Sequence, residues 1–218
     1  MNAKDILNRW LAEDDYGLLG QAVVDGYSAC DEFMSKNIVF SEFALGREHR
    51  SHLLRVFVDH ALNNVPLKNK SFKQELSSNK ARNCWHIRLH KDGLVITSHF
   101  MGKRKFRKMA RPAVNREILA DMNGDLFAGE SDQLDVCVES GAAYCNLLHG
   151  GRKSPDLSML VIPNRDQART IGASCHLPRP SPQRAKSEEI TDTVIMQLRR
   201  QASAMSDSND IDKGNVAR

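Results

Sequence analysis

Apolar and polar positions alternate from Cys84 to Met101, CWHIRLHKDGLVITSHFM, about a central Asp92-Gly93. An Asp-Gly pair suits a two-residue type I′ turn, because both central positions need positive φ. Such a turn sets Lys91 opposite Leu94, His90 opposite Val95, Leu89 opposite Ile96 and Arg88 opposite Thr97. Continued outward, it sets Ile87 against Ser98, His86 against His99 and Trp85 against Phe100. The two-residue period of a strand then puts Trp85, Ile87, Leu89, Leu94, Ile96 and Phe100 on one face, and His86, Arg88, His90, Thr97 and His99 on the other. Ser98 and Val95 break the pattern, but a three-residue loop would set apolar residues against polar ones throughout, so the shorter loop is expected.

Helical spacing dominates the chain before the hairpin. Ile6, Leu7, Trp10 and Leu11, then Leu18, Leu19, Ala22, Val23, Tyr27, Cys30, Phe33 and Met34, predict helix over residues 4–36 in two segments, the pattern continuing past Gly20 and Gly26, which leave the boundaries open. Leu53, Leu54, Phe57, Val58 and Ala61 predict another helix from about Gly46 to Asn63, stopped before Pro66. Residues 66–82, lysine-rich and without a sustained period, read as a connector. After the hairpin, Pro112 opens a helix that stops at Asn123-Gly124. Strands are expected at Leu134–Glu139, Ala142–Leu148 and Leu157–Ile162, a flexible loop at His149–Lys153, and a short helix from Arg165 to Ile171.

These elements predict an α+β fold: a helical N-terminal region (1–65) and a sheet-containing region (83–176) forming one globular domain, with a mixed sheet of about five strands. Beyond it lie a proline-rich linker (177–186), a helix (187–203) with a narrow stripe of Ile190, Val194, Ile195 and Leu198, and a polar tail (204–218) expected to be disordered. That last helix either folds back or meets a protein partner, including a second copy of the chain. With 218 residues and 41% apolar content, the chain can bury an ordinary core. No apolar run reaches the roughly 18 residues of a membrane span and no secretory signal opens the chain, so the expected compartment is the cytoplasm, with no membrane partner. Cys30, Cys84, Cys137, Cys145 and Cys175 are odd in number and contain no CxxC, which predicts reduced, mostly buried thiols.

Charge sharpens this picture. The net charge is +4, yet residues 66–112 hold 13 basic and 2 acidic groups, whereas residues 1–65 hold 6 and 10 and residues 113–176 hold 5 and 9. The densest part is Gly102–Arg111, where Lys103, Arg104, Lys105, Arg107, Lys108 and Arg111 place six cations in nine positions. Such a run seeks solvent or a polyanion, and with Arg116 near the start of the following helix it predicts a nucleic-acid-binding surface, for DNA or RNA.

Chemistry is mostly excluded by absence. The chain has no GxGxxG, Walker A loop, HExxH or Glu-x-Lys, so no cofactor is implied and no usual metal-dependent nuclease core. In the helix before Asn63, Arg47 with His52 and Arg55 with His60 have a spacing similar to the Arg-x4-His of the helical HEPN ribonucleases; helices followed by strands are not that fold, and a solvated helix face is the simpler reading. On the polar side of the hairpin, His86 and His99 as cross-strand neighbours, with Arg88 beside them, would supply a base, an acid and an anion clamp for metal-independent, toxin-like RNA cleavage. Histidines on the wet face of a basic hairpin, contacting phosphate without catalysis, are the plainer expectation. A metal site is disfavoured because no acidic or cysteine ligand is placed nearby.

Overall fold

The computed structural model describes residues 3–44, 48–78, 85–102, 118–123, 141–165, 167 and 170–178, with the backbone alone at 38, 39 and 172. All lie in the unit Met1–Gln183; the expected helix 187–203 and the tail fall outside the described residues, as do the expected strand Leu134–Glu139 and most of the helix begun by Pro112.

The helical region consists of α1 (Ala3–Leu7), α2 (Glu13–Lys36), α3 (Ile38–Glu42), α4 (Arg50–Asn63) and α5 (Val65–Lys68). α1 and α2 are the two segments expected over residues 4–36, and α2 runs 24 residues without a break through the glycines that left its boundaries open. Its first turn is acidic, which suits the positive end of the helix dipole, and the Asp15 carboxylate reaches back to accept the Ala12 N–H at 2.7 Å. The glycines serve packing instead. A Cβ at Gly26 would lie 2.7 Å from the Val58 Cα, so this residue lets α2 and α4 cross closely; one at Gly20 would lie 2.4 Å from the Pro178 carbonyl oxygen.

Six strands follow among the described residues: β1 (Lys73–Ser78), β2 (Trp85–Lys91), β3 (Leu94–Phe100), β4 (Ala143–Gly150), β5 (Leu157–Pro163) and β6 (Thr170–His176). They form one sheet in sequence order, antiparallel throughout except for the parallel pair β3 and β4. The α+β class and the mixed sheet are as expected, with one strand more. The connector at 66–82 and the short helix at 165–171 are not as expected. β1 lies inside the segment read as a connector: as an edge strand with the polar sequence KQELSS it has no apolar face to betray it. Thr170 and Ile171 open a strand, β6, where a short helix was expected, and Ile171 is held opposite Ile162 of β5.

The hairpin turns as expected. Asp92 and Gly93 both have positive φ, at 49° and 96°, and the ladder pairs Lys91 with Leu94, His90 with Val95, Leu89 with Ile96 and Arg88 with Thr97. It runs for those four pairs. On their other edges β2 pairs with β1 from His90 to Trp85, with His86 opposite Ser77, and β3 pairs with β4 from Leu94 to Phe100, with His99 opposite Leu148 and Phe100 opposite His149.

The sheet has two unlike faces. The helical layer covers the first, where Ile87, Leu89, Leu94, Ile96, Leu147, Leu160 and Ile162 are buried with Tyr16, Leu19, Val23, Leu54, Phe57 and Leu62. On the second face, residues 118–123, ending in a 3-10 turn at Asp121–Asn123, pack Leu119, Ala120 and Met122 on Val95 and Tyr144. Asn123 is fully buried there. Its side-chain amide donates to the carbonyls of Tyr144 (2.9 Å) and Pro163 (2.7 Å) and accepts the Tyr144 N–H (2.7 Å), bridging β4 to β5.

A parallel β3–β4 pair requires a long crossover, and here it spans residues 101–142. The basic run belongs to that connection, which leaves β3 at Gly102.

Candidate functional site

Strand alternation gathers the polar residues of β1, β2 and β3 onto the second face. The register places Glu75, Arg88 and Thr97 in one row across three strands, with Lys73 and His90 in the next and Ser77 and His86 in the one after. His99 stands two residues beyond Thr97 on the same face. Arg88 is therefore central. Its Nη1 lies 3.8 Å from Glu75 Oε1, while the other Glu75 oxygen lies 3.0 Å from His90 Nε2. Glu75 is half exposed and the Arg88 side chain 20% exposed, so the group is open to solvent at its outer edge. The Arg88 Nε is buried and has no hydrogen-bond acceptor among the described residues.

Beside Arg88 the face turns inward. The Thr97 hydroxyl lies 2.8 Å from the Tyr144 hydroxyl and donates to Asn146 Oδ1 at 3.1 Å, and Tyr144 donates to the same oxygen at 2.6 Å. All three side chains are buried, so this network closes the floor of the face and leaves Arg88 and the histidines at its rim.

Of the residues singled out for cleavage, His86, Arg88 and His99 thus share a face, and all three are partly buried. The four-pair ladder does not bring His86 and His99 into direct cross-strand pairing. The binding candidates Lys103, Arg104, Lys105, Arg107, Lys108, Arg111 and Arg116 lie outside the described residues. Among the described residues, no group of three or more His, Cys, Asp and Glu side chains gathers to hold a metal ion, and no helix is long and apolar enough to cross a membrane. Cys30, Cys145 and Cys175 are buried free thiols.

The first face carries polar chemistry that the sequence reading did not identify. Side-chain hydrogen bonds join the helices to the sheet. Lys91 of β2 donates to the buried Asp15 of α2, whose other oxygen accepts Asn69 Nδ2 at 2.8 Å. Ser98 of β3 donates to Asp59 of α4. Tyr27 Oη of α2 lies 3.4 Å from Nδ1 of His149 in β4. Burial pushes the Asp59 carboxyl up to about 7, against the opposing pull of the Ser98 hydrogen bond and the Arg55 charge. Burial likewise pushes His149 down to about 3, with the nearby His99 acting in the same direction.

His149 and Gly150 are buried β4 residues, not the start of a flexible loop as expected. The loop that follows is tied down: Arg50 of α4 binds the Asp31 carboxylate and donates to the Arg152 carbonyl from Nε at 3.1 Å and Nη2 at 2.6 Å. Along the same helix, His60 Nε2 lies 3.3 Å from the amide of Asn64.

The fold and this face describe an α+β protein with a helix-backed mixed sheet whose opposite surface holds an arginine among histidines. No family model, curated protein or solved structure matches the chain.

Proposed function

We propose that the protein binds nucleic acid through the second face of its sheet and the basic run that leaves β3. The observation that carries this reading is the concentration of charge in residues 66–112, 13 basic groups against 2 acidic. The described ion pairs draw in two acids from the helical region, Asp25 to Lys68 at 3.5 Å and Asp15 to Lys91. Counting both of these still leaves a surplus of nine cations in the segment. Lys70 and Lys73 are exposed. Topology also supports the reading: the crossover that contains Lys103–Arg111 sets its described portion, residues 118–123, on the second face, where Arg88 and the histidines lie.

Phosphate neutralisation releases counterions, so affinity must fall steeply with salt. If the six cations of residues 103–111 each meet a phosphate, affinity for duplex DNA drops by roughly 10³ between 50 and 200 mM salt. Fluorescence anisotropy with labelled single- and double-stranded DNA and RNA tests this, using wild type and a variant with Lys103, Arg104, Lys105, Arg107 and Lys108 changed to Gln. Absence of binding to every probe at low salt rejects the reading.

A second reading, metal-independent RNA cleavage, is favoured by the common face of His86, Arg88 and His99. On this reading His86→Ala and His99→Ala each abolish cleavage in the presence of a chelator while binding persists. Unchanged cleavage in both variants rejects it.

A further inference from the structure

We propose that Arg88 is the centre of an oxyanion site that takes a phosphate group, free or within a nucleic-acid strand, by displacing Glu75. The proposal rests on the nucleic-acid reading and names the group recognised on the second face.

Three observations lead to it. Arg88 is a partly buried cation whose Nε–H has no acceptor among the described residues and whose Nη1 is 3.8 Å from its carboxylate partner, so the guanidinium fork is poorly used. An unmade hydrogen bond on a buried donor is costly, and a tetrahedral oxyanion can accept from two of the fork's N–H groups at once. The register also surrounds Arg88 with imidazoles: His86 and His90 two residues to either side on β2, and His99 beyond the opposing Thr97 on β3. Each supplies N–H donors and, when protonated, positive charge. Finally, the acid facing this group is Glu75, half exposed on an edge strand and shared between Arg88 and His90. Glu75 thus occupies the place of an anion while lying on the solvent side, where a better-matched ligand can replace it. The inner side of the site is fixed, because Thr97 is held by Tyr144 and Asn146.

The mechanism predicts opposite effects from two surface substitutions. Arg88→Gln removes the cation, whereas Glu75→Gln removes the competing carboxylate and keeps a side chain of the same length. Inorganic phosphate is titrated into isotope-labelled protein while the Arg88 Nε–H and imidazole resonances are followed by NMR, and a short oligonucleotide is titrated in parallel by anisotropy. The expected result is a saturable shift of the Arg88 resonance, with tighter phosphate binding in Glu75→Gln. Arg88→Gln should lose the imidazole shifts and bind the oligonucleotide about tenfold or more weakly, with an unchanged circular-dichroism spectrum.

An Arg88 resonance unmoved by phosphate in both wild type and Glu75→Gln overturns the site, and oligonucleotide binding that is nevertheless retained leaves the nucleic-acid reading standing. A phosphate-dependent shift without oligonucleotide binding in any variant supports the site and rejects that reading.

Discussion

Asp59 and His149 are buried on the same face of the sheet and titrate in opposite senses, and the consequence for stability can be worked out. The Asp59 carboxyl rises from 3.8 to about 7 on folding. The folded protein therefore binds its proton more tightly than the unfolded chain, and the stability this contributes is fully present below about pH 4 and lost as pH rises to 7. His149 falls from 6.5 to about 3, so its contribution is present above about pH 6.5 and lost as pH falls towards 3. Each pH unit of displacement is worth about 1.4 kcal/mol, giving roughly 4 kcal/mol for Asp59 and roughly 5 kcal/mol for His149. Between about pH 4 and 6.5 the two slopes oppose and nearly cancel.

Single substitutions should uncover each slope. In Asp59→Asn, which keeps an acceptor for Ser98, acidification from about pH 6.5 to 4 should cost about 3 kcal/mol relative to wild type. In His149→Phe, the same acidification should be stabilising by a similar amount, about 3 kcal/mol. The double variant should track wild type over that window. Urea unfolding at about four pH values measures all three as differences from wild type, so the ordinary surface carboxylates cancel. Single-variant curves that run parallel to wild type across the window would refute the reasoning.

Other contacts give simpler expectations. Asn123→Ala strands the buried Tyr144 N–H and two carbonyls, so chemical denaturation should show a loss of about 2–4 kcal/mol. Lys91→Met leaves Asp15, 1% exposed, without its cation and should cost about 3–5 kcal/mol in the same assay. Gly26→Ala forces a methyl group against the Val58 backbone and should destabilise by about 1–3 kcal/mol, whereas Gly17→Ala, with nothing within 4 Å, should stabilise by about 0.5–1 kcal/mol. Thermal melts that rank these two glycine variants the other way would contradict the account of the α2–α4 crossing.

The hairpin was legible because local turn chemistry and alternation agree over Trp85–Phe100, and each constrains the register. Its two misfits, Ser98 and Val95, proved informative: Ser98 sits among apolar residues because Asp59 of α4 accepts a hydrogen bond from its hydroxyl, and Val95 sits among polar ones because residues 118–123 cover it. Both partners are distant in sequence, which is why periodicity could not explain either. Gly20 and Gly26 left the helix boundaries open for the same reason, since the backbone each admits belongs to another element. β1 escaped notice because an exposed edge strand has no apolar face, and Asn123 looked like a helix stop when its amide bridges two strands. The grouping of Arg88 with His86 and His90 followed from alternation alone, whereas its tie to Glu75 needed the pairing of β1 with β2.

The central claim is that an unneutralised surplus of cations in residues 66–112 meets phosphate, and the salt dependence of oligonucleotide affinity tests it most directly. The account predicts a linear fall of log affinity with log salt concentration for duplex DNA, with a slope near −5 for six phosphate contacts and a slope near −1 once Lys103, Arg104, Lys105, Arg107 and Lys108 are changed to Gln and Arg111 alone remains of the six. A slope that is already near zero in the wild-type protein, or one that those five substitutions leave unchanged, would contradict it.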